Sequence, residues 1–245
     1  MQSNSLRKLA RHAEHALYHL RYRTARDTVD TLRLRSPCLL LGSAPGAPPA
    51  YNFERHWSLV TVNASQACLP ASQCVTPDLT IMSDAMLGST KANQVAQRVL
   101  TGARTGCLVL INRAMEPSLA VHRLNTIGYA YKELICLDHW VRAKIIYEVL
   151  GEHLGVGEGG KKLSTGVFTL LLLIRSQVKP IVISGFSLVS DGHAYDNSGV
   201  QPRAHKDADS YALRLIGKKY HNLFVLEQAT EGGFPLPVWP NRVLG

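Results

Sequence analysis

Chemistry is concentrated between Lys162 and Asp209. Ser164-Thr165-Gly166 stands between a glycine-rich loop (Gly155, Gly157, Gly159, Gly160) and the apolar run Val167–Ile174. Ser and Thr are favoured helix N-caps, so this spacing predicts a buried helix that starts here. Its first-turn N–H groups would lack intrahelical partners and carry partial positive charge, which attracts carboxylate or phosphate. Pro180-Ile181-Val182-Ile183-Ser184-Gly185-Phe186 follows as a strand ending at Gly185. In open α/β sheets ligands gather beyond the carboxyl ends of strands. A polar segment carrying Tyr195 and then His205 would hang over that end. Histidine can serve as a base near neutral pH, so the stretch predicts an anion site beneath a titratable group. His205 is one of ten histidines, so its type alone does not single it out. His193 lies in the same polar segment and is its nearest competitor, whereas His12, His15 and His19 read as solvated residues of a basic helix.

The elements that must position these groups alternate in kind. Cys38–Leu41 is a short apolar run closed by Gly42-Ser43-Ala44-Pro45-Gly46, a strand and tight turn. Leu59–Asn63 and Leu79–Met82 read as second and third strands, the latter closed by Ser83-Asp84. Cys107–Asn112 reads as a fourth strand, Glu133–Leu137 as a weak fifth, and Leu223–Leu226 as the last. Helices are predicted over Thr90–Leu100 and His139–Leu150, from Ser164, and over Asp207–Tyr220. Strands alternating with helices imply an α/β domain with a mostly parallel sheet covered on both faces. Gly42, Asn63, Asp84, Asn112 and Gly185 sit at strand ends, as a binding edge requires. The tail Phe234–Asn241 is Pro-rich and reads as coil.

With 245 residues the chain suits one large domain, or one domain with a small extension. The expected division is a basic helical extension over 1–35 and a catalytic domain over 36–245 with a lid at about 187–206. The net charge of +9 is uneven: residues 1–35 hold eight Lys/Arg against three Asp/Glu, a net +5. The remaining +4 is thin for a nucleic-acid groove, so no nucleic-acid partner is expected. Residues 5–30 place Leu6, Leu9, Ala13, Leu17 and Leu20 near helical spacing among basic residues. Two readings stay open for this helix: packing against the domain or a sister subunit in a homo-oligomer, or contact with an anionic membrane surface. No apolar run approaches the ~20 residues of a membrane span, and the polar start Met1-Gln2-Ser3-Asn4-Ser5 does not resemble a secretory signal. Five cysteines without ligand spacing, with Cys38, Cys107 and Cys136 in apolar stretches, read as reduced core residues. The expected setting is cytoplasmic, with peripheral contact at the inner face of the cell membrane as the second reading.

Gly42-Ser43-Ala44-Pro45-Gly46 could admit a phosphate close to its backbone, although an ordinary turn explains it equally well. It is neither a Walker loop nor a GxGxxG motif. Asn63 and Asp84 could converge on the same ligand from neighbouring parallel strands. No GxSxG elbow is present for a nucleophilic triad, and no HExxH or Cys/His cluster argues for a metal; the one DxD, Asp207-Ala208-Asp209, falls at the start of the helix predicted over Asp207–Tyr220. The residues alone describe an α/β enzyme acting on an anionic nucleotide ligand without a metal.

In their order, these motifs resemble the CMP-sialic-acid-dependent sialyltransferases, especially the small bacterial ones that sialylate lipooligosaccharide. Leu41-Gly42-Ser43-Ala44-Pro45 is similar to that family's first-strand Asn-Gly-Pro-Ser turn, with Asn63 at the end of the second strand. Ser164-Thr165-Gly166 resembles the Ser/Thr-Gly motif that binds the donor carboxylate. Ile183-Ser184-Gly185-Phe186 and Asp191-Gly192-His193-Ala194-Tyr195 resemble the strand and lid that follow. Ala204-His205-Lys206-Asp207-Ala208-Asp209 resembles the segment of the catalytic histidine with its acidic neighbour. Departures are visible too: the first turn lacks the usual Asn, Val189 stands where a second lid tyrosine is usual, and His205 lies one residue closer to Asp209.

The resemblance implies a single Rossmann-like domain of GT-A-variant type. It implies an inverting, metal-independent transfer of a 2-keto sugar acid, sialic acid or Kdo, from a CMP donor to a glycan hydroxyl, with no cofactor. His205 would be the base and Tyr195 would hold the CMP phosphate. The donor would be bound by Gly42, Ser43, Ala44, Asn63, Asp84, Ser164, Thr165, Gly166, Gly185 and Phe186. Two rivals use the same loops: a metal-dependent pyrophosphokinase or nucleotide hydrolase, and a non-catalytic nucleotide-binding module.

Overall fold

The computed structural model describes residues 29, 32–45, 56–69, 75–111, 115–152, 154, 162–196, 205–226 and 236–240. The glycine-rich loop at 155–160, Asn112, Gly46, most of the basic helix and the second half of the lid lie outside the described residues. The strands are β1 (Cys38–Leu41), β2 (Ser58–Val62), β3 (Leu79–Ser83), β4 (Arg104–Ile111), β5 (Ala130–Leu137), β6 (Ile181–Ser184) and β7 (Leu223–Val225). Five α-helices accompany them among the described residues: α1 (Lys91–Leu100), α2 (Pro117–Thr126), α3 (His139–Leu150), α4 (Thr165–Arg175) and α5 (Lys206–Lys219).

The seven strands among the described residues form one parallel sheet in the order β5-β4-β3-β2-β1-β6-β7. The expected α/β architecture is present, and its central strands are buried on both faces. This explains why β1, β2, β3 and β6 are continuous apolar runs rather than alternating ones. One face packs Cys38, Leu40, Val60, Ile81 and Ile183 against α3, α4 and α5. Every residue of α4 from Val167 to Leu173 is buried, and each apolar side chain so covered contributes about 1.5–3 kcal/mol. The opposite face has two clusters. Met82, Leu108 and Leu110 meet Ala96, Leu100, Ala120 and Leu124 of α1 and α2, and Leu39, Leu41, Leu59 and Val182 lie under Trp57, Phe224 and Trp239.

Several expectations need adjustment. Sequence reading places no helix between 113 and 132, yet α2 is there, with Pro117 in its first turn and only Ala120 and Leu124 buried. The weak fifth strand is eight residues long and forms one edge of the sheet. Cys38 is buried as expected, but Cys107 is half-buried and Cys136, on that edge strand, is exposed. The end of the basic extension belongs to the packed body. Val29 is buried in the core, Leu32 and Leu34 pack against it, and Arg35 N–H donates to Ser58 Oγ at 2.7 Å. Residues 236–240 are less irregular than coil: Val238 bridges to Val225, and Trp239 N–H donates to the Val225 carbonyl. Among the described residues no helix is long and apolar enough to cross a membrane.

Candidate active site

After β1 the chain steps outward through β2, β3, β4 and β5, then returns to lay β6 on the other side of β1. Loops leaving β1 and β6 therefore diverge, and the crevice between their carboxyl ends is the topological switch point of an open α/β sheet. A cavity of about 370 Å³ opens there, within the size range of small-molecule sites.

Its floor is built by three backbones brought unusually close. Gly42 N–H donates to the Ser184 carbonyl and Ala44 N–H to the Gly185 carbonyl, both at 2.8 Å. A Cβ at Gly42 would lie 2.3 Å from the Gly185 carbonyl oxygen and 2.7 Å from Phe186 Cδ2. One at Gly166 would lie 2.7 Å from Phe186 Cε1. Gly185 has φ +68° and would place a Cβ 2.6 Å from the Gly42 oxygen, a left-handed conformation that favours glycine. Three of the sequence-derived binding glycines thus let β1, β6 and the start of α4 meet around the Phe186 ring. Two N–H groups of the first turn are spent on β6 and are not offered to a phosphate.

The start of α4 forms the next wall. Ser164 caps the helix through Oγ, which accepts from Val167 N–H at 3.2 Å. Its own N–H donates at 2.9 Å to Oδ1 of Asp209, a fully buried residue in the first turn of α5. The N–H groups of Thr165 and Gly166 belong to the turn that has no intrahelical acceptors. His205 precedes α5 as its N-terminal boundary residue, with its carbonyl accepting from Asp209 N–H. Asp209 therefore ties the base candidate to the start of α4. His205 Nδ1 lies 2.8 Å from the Lys162 carbonyl oxygen. A carbonyl can only accept, so Nδ1 carries the proton and Nε2 is left basic.

Asn63 stands at the end of β2 with φ 51°, and its Oδ1 accepts from Ser83 N–H, joining the ends of β2 and β3. Gly42, Ser43, Ala44, Asn63, Ser164, Thr165, Gly166, Gly185, Phe186 and His205 all line the cavity. Asp84 does not. It is buried, and its Oδ2 accepts from Met115 N–H, so it anchors the loop before α2. Tyr195 is brought to the site but stands one layer back, packed against the Met82 cluster. Burial raises its phenol far above the ordinary value, helped by Cys68 and Asp196 and opposed by a hydrogen bond with Ser43. In front of it stands His193, which lines the cavity and stacks on the tyrosine ring at 5.0 Å and 5°.

Asn93, Ser187 and Ser190 also line the cavity and carry no sequence signal that separates them from other surface polar residues. The lining side chains among the described residues include hydroxyls, amides and two imidazoles, but no carboxylate, lysine or arginine. Such a wall accepts an anion readily. No group of three His, Cys, Asp or Glu side chains able to hold a metal ion occurs among the described residues.

No protein-family model matches the chain, and no curated protein matches it by sequence. Solved structures do. The monofunctional α-2,3-sialyltransferase Cst-I of Campylobacter jejuni shares 13% identity over 85% of this chain and 84% of its own, with a TM-score of 0.53. The C. jejuni sialyltransferase CstII in complex with the substrate analogue CMP-3FNeuAc gives the same TM-score and identity over 85% and 87%. CST-II in complex with a trisaccharide acceptor and CMP gives 0.51, with 13% identity over 83% and 86%. At these identities the likeness is one of fold: the chain has the α/β fold of these sialyltransferases across most of its length.

Proposed function

We propose that this protein is an inverting, metal-independent glycosyltransferase that moves a 2-keto sugar acid from a CMP donor to a glycan hydroxyl. The observation that carries the reading is His205. Its Nδ1–H is fixed on the Lys162 carbonyl, and its Nε2 belongs to a ring lining a cavity at the switch point whose described lining holds no carboxylate. The shared fold supports it, because the solved relatives include one with a CMP-sugar analogue and one with CMP and an acceptor.

In this reading the helix start of α4 and the Thr165 hydroxyl hold the sugar carboxylate, with the helix terminus contributing about 0.3–2 kcal/mol. Asn63 and the β1 turn receive the nucleotide. The acceptor hydroxyl attacks the anomeric carbon on the face opposite the phosphate. Its proton passes to His205 Nε2 as the new C–O bond forms, while the bonding pair of the old C–O bond leaves with CMP. General-base assistance of this kind contributes about 10²–10⁴-fold.

Donor turnover with CMP-sialic acid and with CMP-Kdo, each with and without EDTA, tests the proposal. Turnover should survive the chelator, and His205→Ala should lower kcat about 10²–10⁴-fold while CMP binding stays within about twofold. Turnover that appears only with an added divalent cation, or an undiminished His205→Ala, overturns the reading and favours a metal-dependent hydrolase or a binding module.

A further inference from the structure

The peptide that joins Leu163 to Ser164 is held at both ends by buried side chains. Its carbonyl accepts from Arg142 Nη2 at 2.7 Å, and its N–H donates to Asp209 Oδ1 at 2.9 Å. Arg142 stands near the start of α3 and is 9% exposed; Asp209 stands in the first turn of α5 and is fully buried. The guanidinium has a second contact on α4, with its Cζ 5.1 Å from the centre of the buried Phe168 ring, within cation–π range. The 163–164 peptide is trans, so its C=O and N–H point opposite ways. Arg142 and Asp209 therefore grip one peptide plane from opposite sides.

The neighbouring peptide carries the contact that matters for the base. Its oxygen, the Lys162 carbonyl, accepts from His205 Nδ1 at 2.8 Å. Lys162 is exposed, so its own side chain does not anchor that oxygen in the core. The anchoring comes from the next peptide along the chain. Asp209 also takes part from the ring's side, because its N–H donates to the His205 carbonyl. With Arg142 removed, the 163–164 peptide would keep the Asp209 bond at its N–H but lose the hold on its oxygen. It could then swing about that bond and carry the Lys162 carbonyl off the imidazole. Which ring nitrogen of a histidine is protonated is set by the hydrogen bond that the other one makes, so a lost acceptor at Nδ1 frees the proton to move to Nε2. Arg142 itself does not line the cavity.

We propose that Arg142 is a positioning residue for His205: through the Leu163 carbonyl, its guanidinium keeps the Lys162 carbonyl on Nδ1 and so leaves Nε2 as the nitrogen that can take a proton. The use made of Nε2 rests on the transferase reading above; the clamp and the tautomer do not. Arginine suits the place because a flat guanidinium can lie against the Phe168 ring while one N–H reaches the carbonyl, which the compact ammonium of a lysine does not reproduce.

The test is imidazole ¹⁵N NMR of the full chain at a pH where the His205 ring is neutral, with His205→Gln identifying its signals. The parent should show Nδ1 protonated and Nε2 bare. Arg142→Met should turn this into a mixture of both tautomers, and Arg142→Lys should do so less completely. Donor hydrolysis, read as CMP released from CMP-sialic acid or CMP-Kdo, should fall about 10–10²-fold in kcat, part of the base's own 10²–10⁴, with CMP Kd within about twofold. Beside His205→Ala, Arg142→Lys should cost nothing further, a non-additivity that a packing role would not produce. A folded variant of either kind that keeps the parent's single tautomer overturns the proposal, as do equal costs of Arg142→Lys in both backgrounds. A chain that unfolds with both substitutions makes Arg142 a residue of the core alone and overturns it too. A parent that releases no CMP while its variants lose the Nδ1–H tautomer overturns the transferase reading and supports the clamp.

Discussion

Replacing Gly42 by alanine puts a methyl group into the crossing of β1, β6 and α4. The new Cβ would lie 2.3 Å from the Gly185 carbonyl oxygen, a backbone atom that no rotamer change can move. Reaching a tolerable 3.0 Å demands a shift of about 0.7 Å between the strand ends. The same two ends are joined by the Gly42–Ser184 and Ala44–Gly185 hydrogen bonds, both 2.8 Å. A shift of that size stretches them to about 3.5 Å, beyond the normal hydrogen-bond range. Losing most of two bonds at about 1 kcal/mol each, with the usual 1–3 kcal/mol of overpacking, gives a destabilisation of about 2–4 kcal/mol. For a chain of this size that lowers Tm by about 5–15 °C. Gly166→Ala meets only the Phe186 ring, at 2.7 Å, so Phe186→Ala should relieve it. The same partner change should do much less for Gly42→Ala, whose nearest obstacle is backbone. Gly102→Ala is the contrast: nothing lies within 4 Å, and only φ +73° opposes it, for about 1–2 kcal/mol. Urea and thermal unfolding of the singles and the two Phe186 doubles measure all of this. A Gly42→Ala protein as stable as the parent, or one rescued by Phe186→Ala as fully as Gly166→Ala, would refute the crowding argument.

Other expectations follow from the same contacts. Asp209→Asn removes the charge from the acceptor of Ser164 N–H; it should cost about 1–2 kcal/mol and lower kcat more than CMP affinity, as seen by thermal shift and donor hydrolysis. Burial pushes the Tyr129 phenol up to about 12, partly opposed by its hydrogen bond with Thr80. Between the unfolded value near 10 and the folded value, the folded protein holds more protons. The Tyr129 share of stability should therefore fall by about 2–3 kcal/mol as pH rises across that window and level off above it. Tyr129→Phe should make the fall of the urea midpoint there shallower, leaving the part due to Tyr195 and the buried thiols. Cys68 and Cys107, both raised to about 11 by burial, should begin the decline near pH 9 in the parent and in Tyr129→Phe alike. Trp239→Ala removes edge contacts to Trp57 and Phe224 at 5.7 and 4.9 Å and should cost about 2–3 kcal/mol in urea unfolding.

The sheet was legible in the sequence because its inner strands are covered twice. Leu39-Leu40-Leu41 and Ile181-Val182-Ile183 must be apolar at every position, so they stand out from surface segments. β5 was read weakly because it is an edge strand with Lys132 and Glu133 exposed, and α2 was missed because its buried stripe is two residues wide. The site was readable where a strand end dictates position, as for Gly42, Asn63 and Gly185, or where a cap does, as for Ser164. Asp84 follows a strand end too, but the short 3-10 turn over Asp84–Leu87 buries its side chain against Met115 N–H. Spacing does not report such a local turn. Nor does it separate His193 from Tyr195: two residues apart in one tight turn, one faces the cavity and the other backs it.

The two margins of the sheet are finished differently, and this bears on how the protein can be handled. Beyond β7 the chain's own residues 236–240 occupy the outer backbone groups of Val225 from both sides, through Pro237 and Trp239. Beyond β5 no strand pairs among the described residues, and that rim carries Lys132 and Glu133, charges that discourage another chain from adding on. A variant shortened before residue 236 would uncover the one margin that lacks charged guards on its strand, Leu223-Phe224-Val225. Its first symptom should be clumping on storage rather than lost turnover. An affinity tag is better placed so that residues 236–240 are kept than substituted for them.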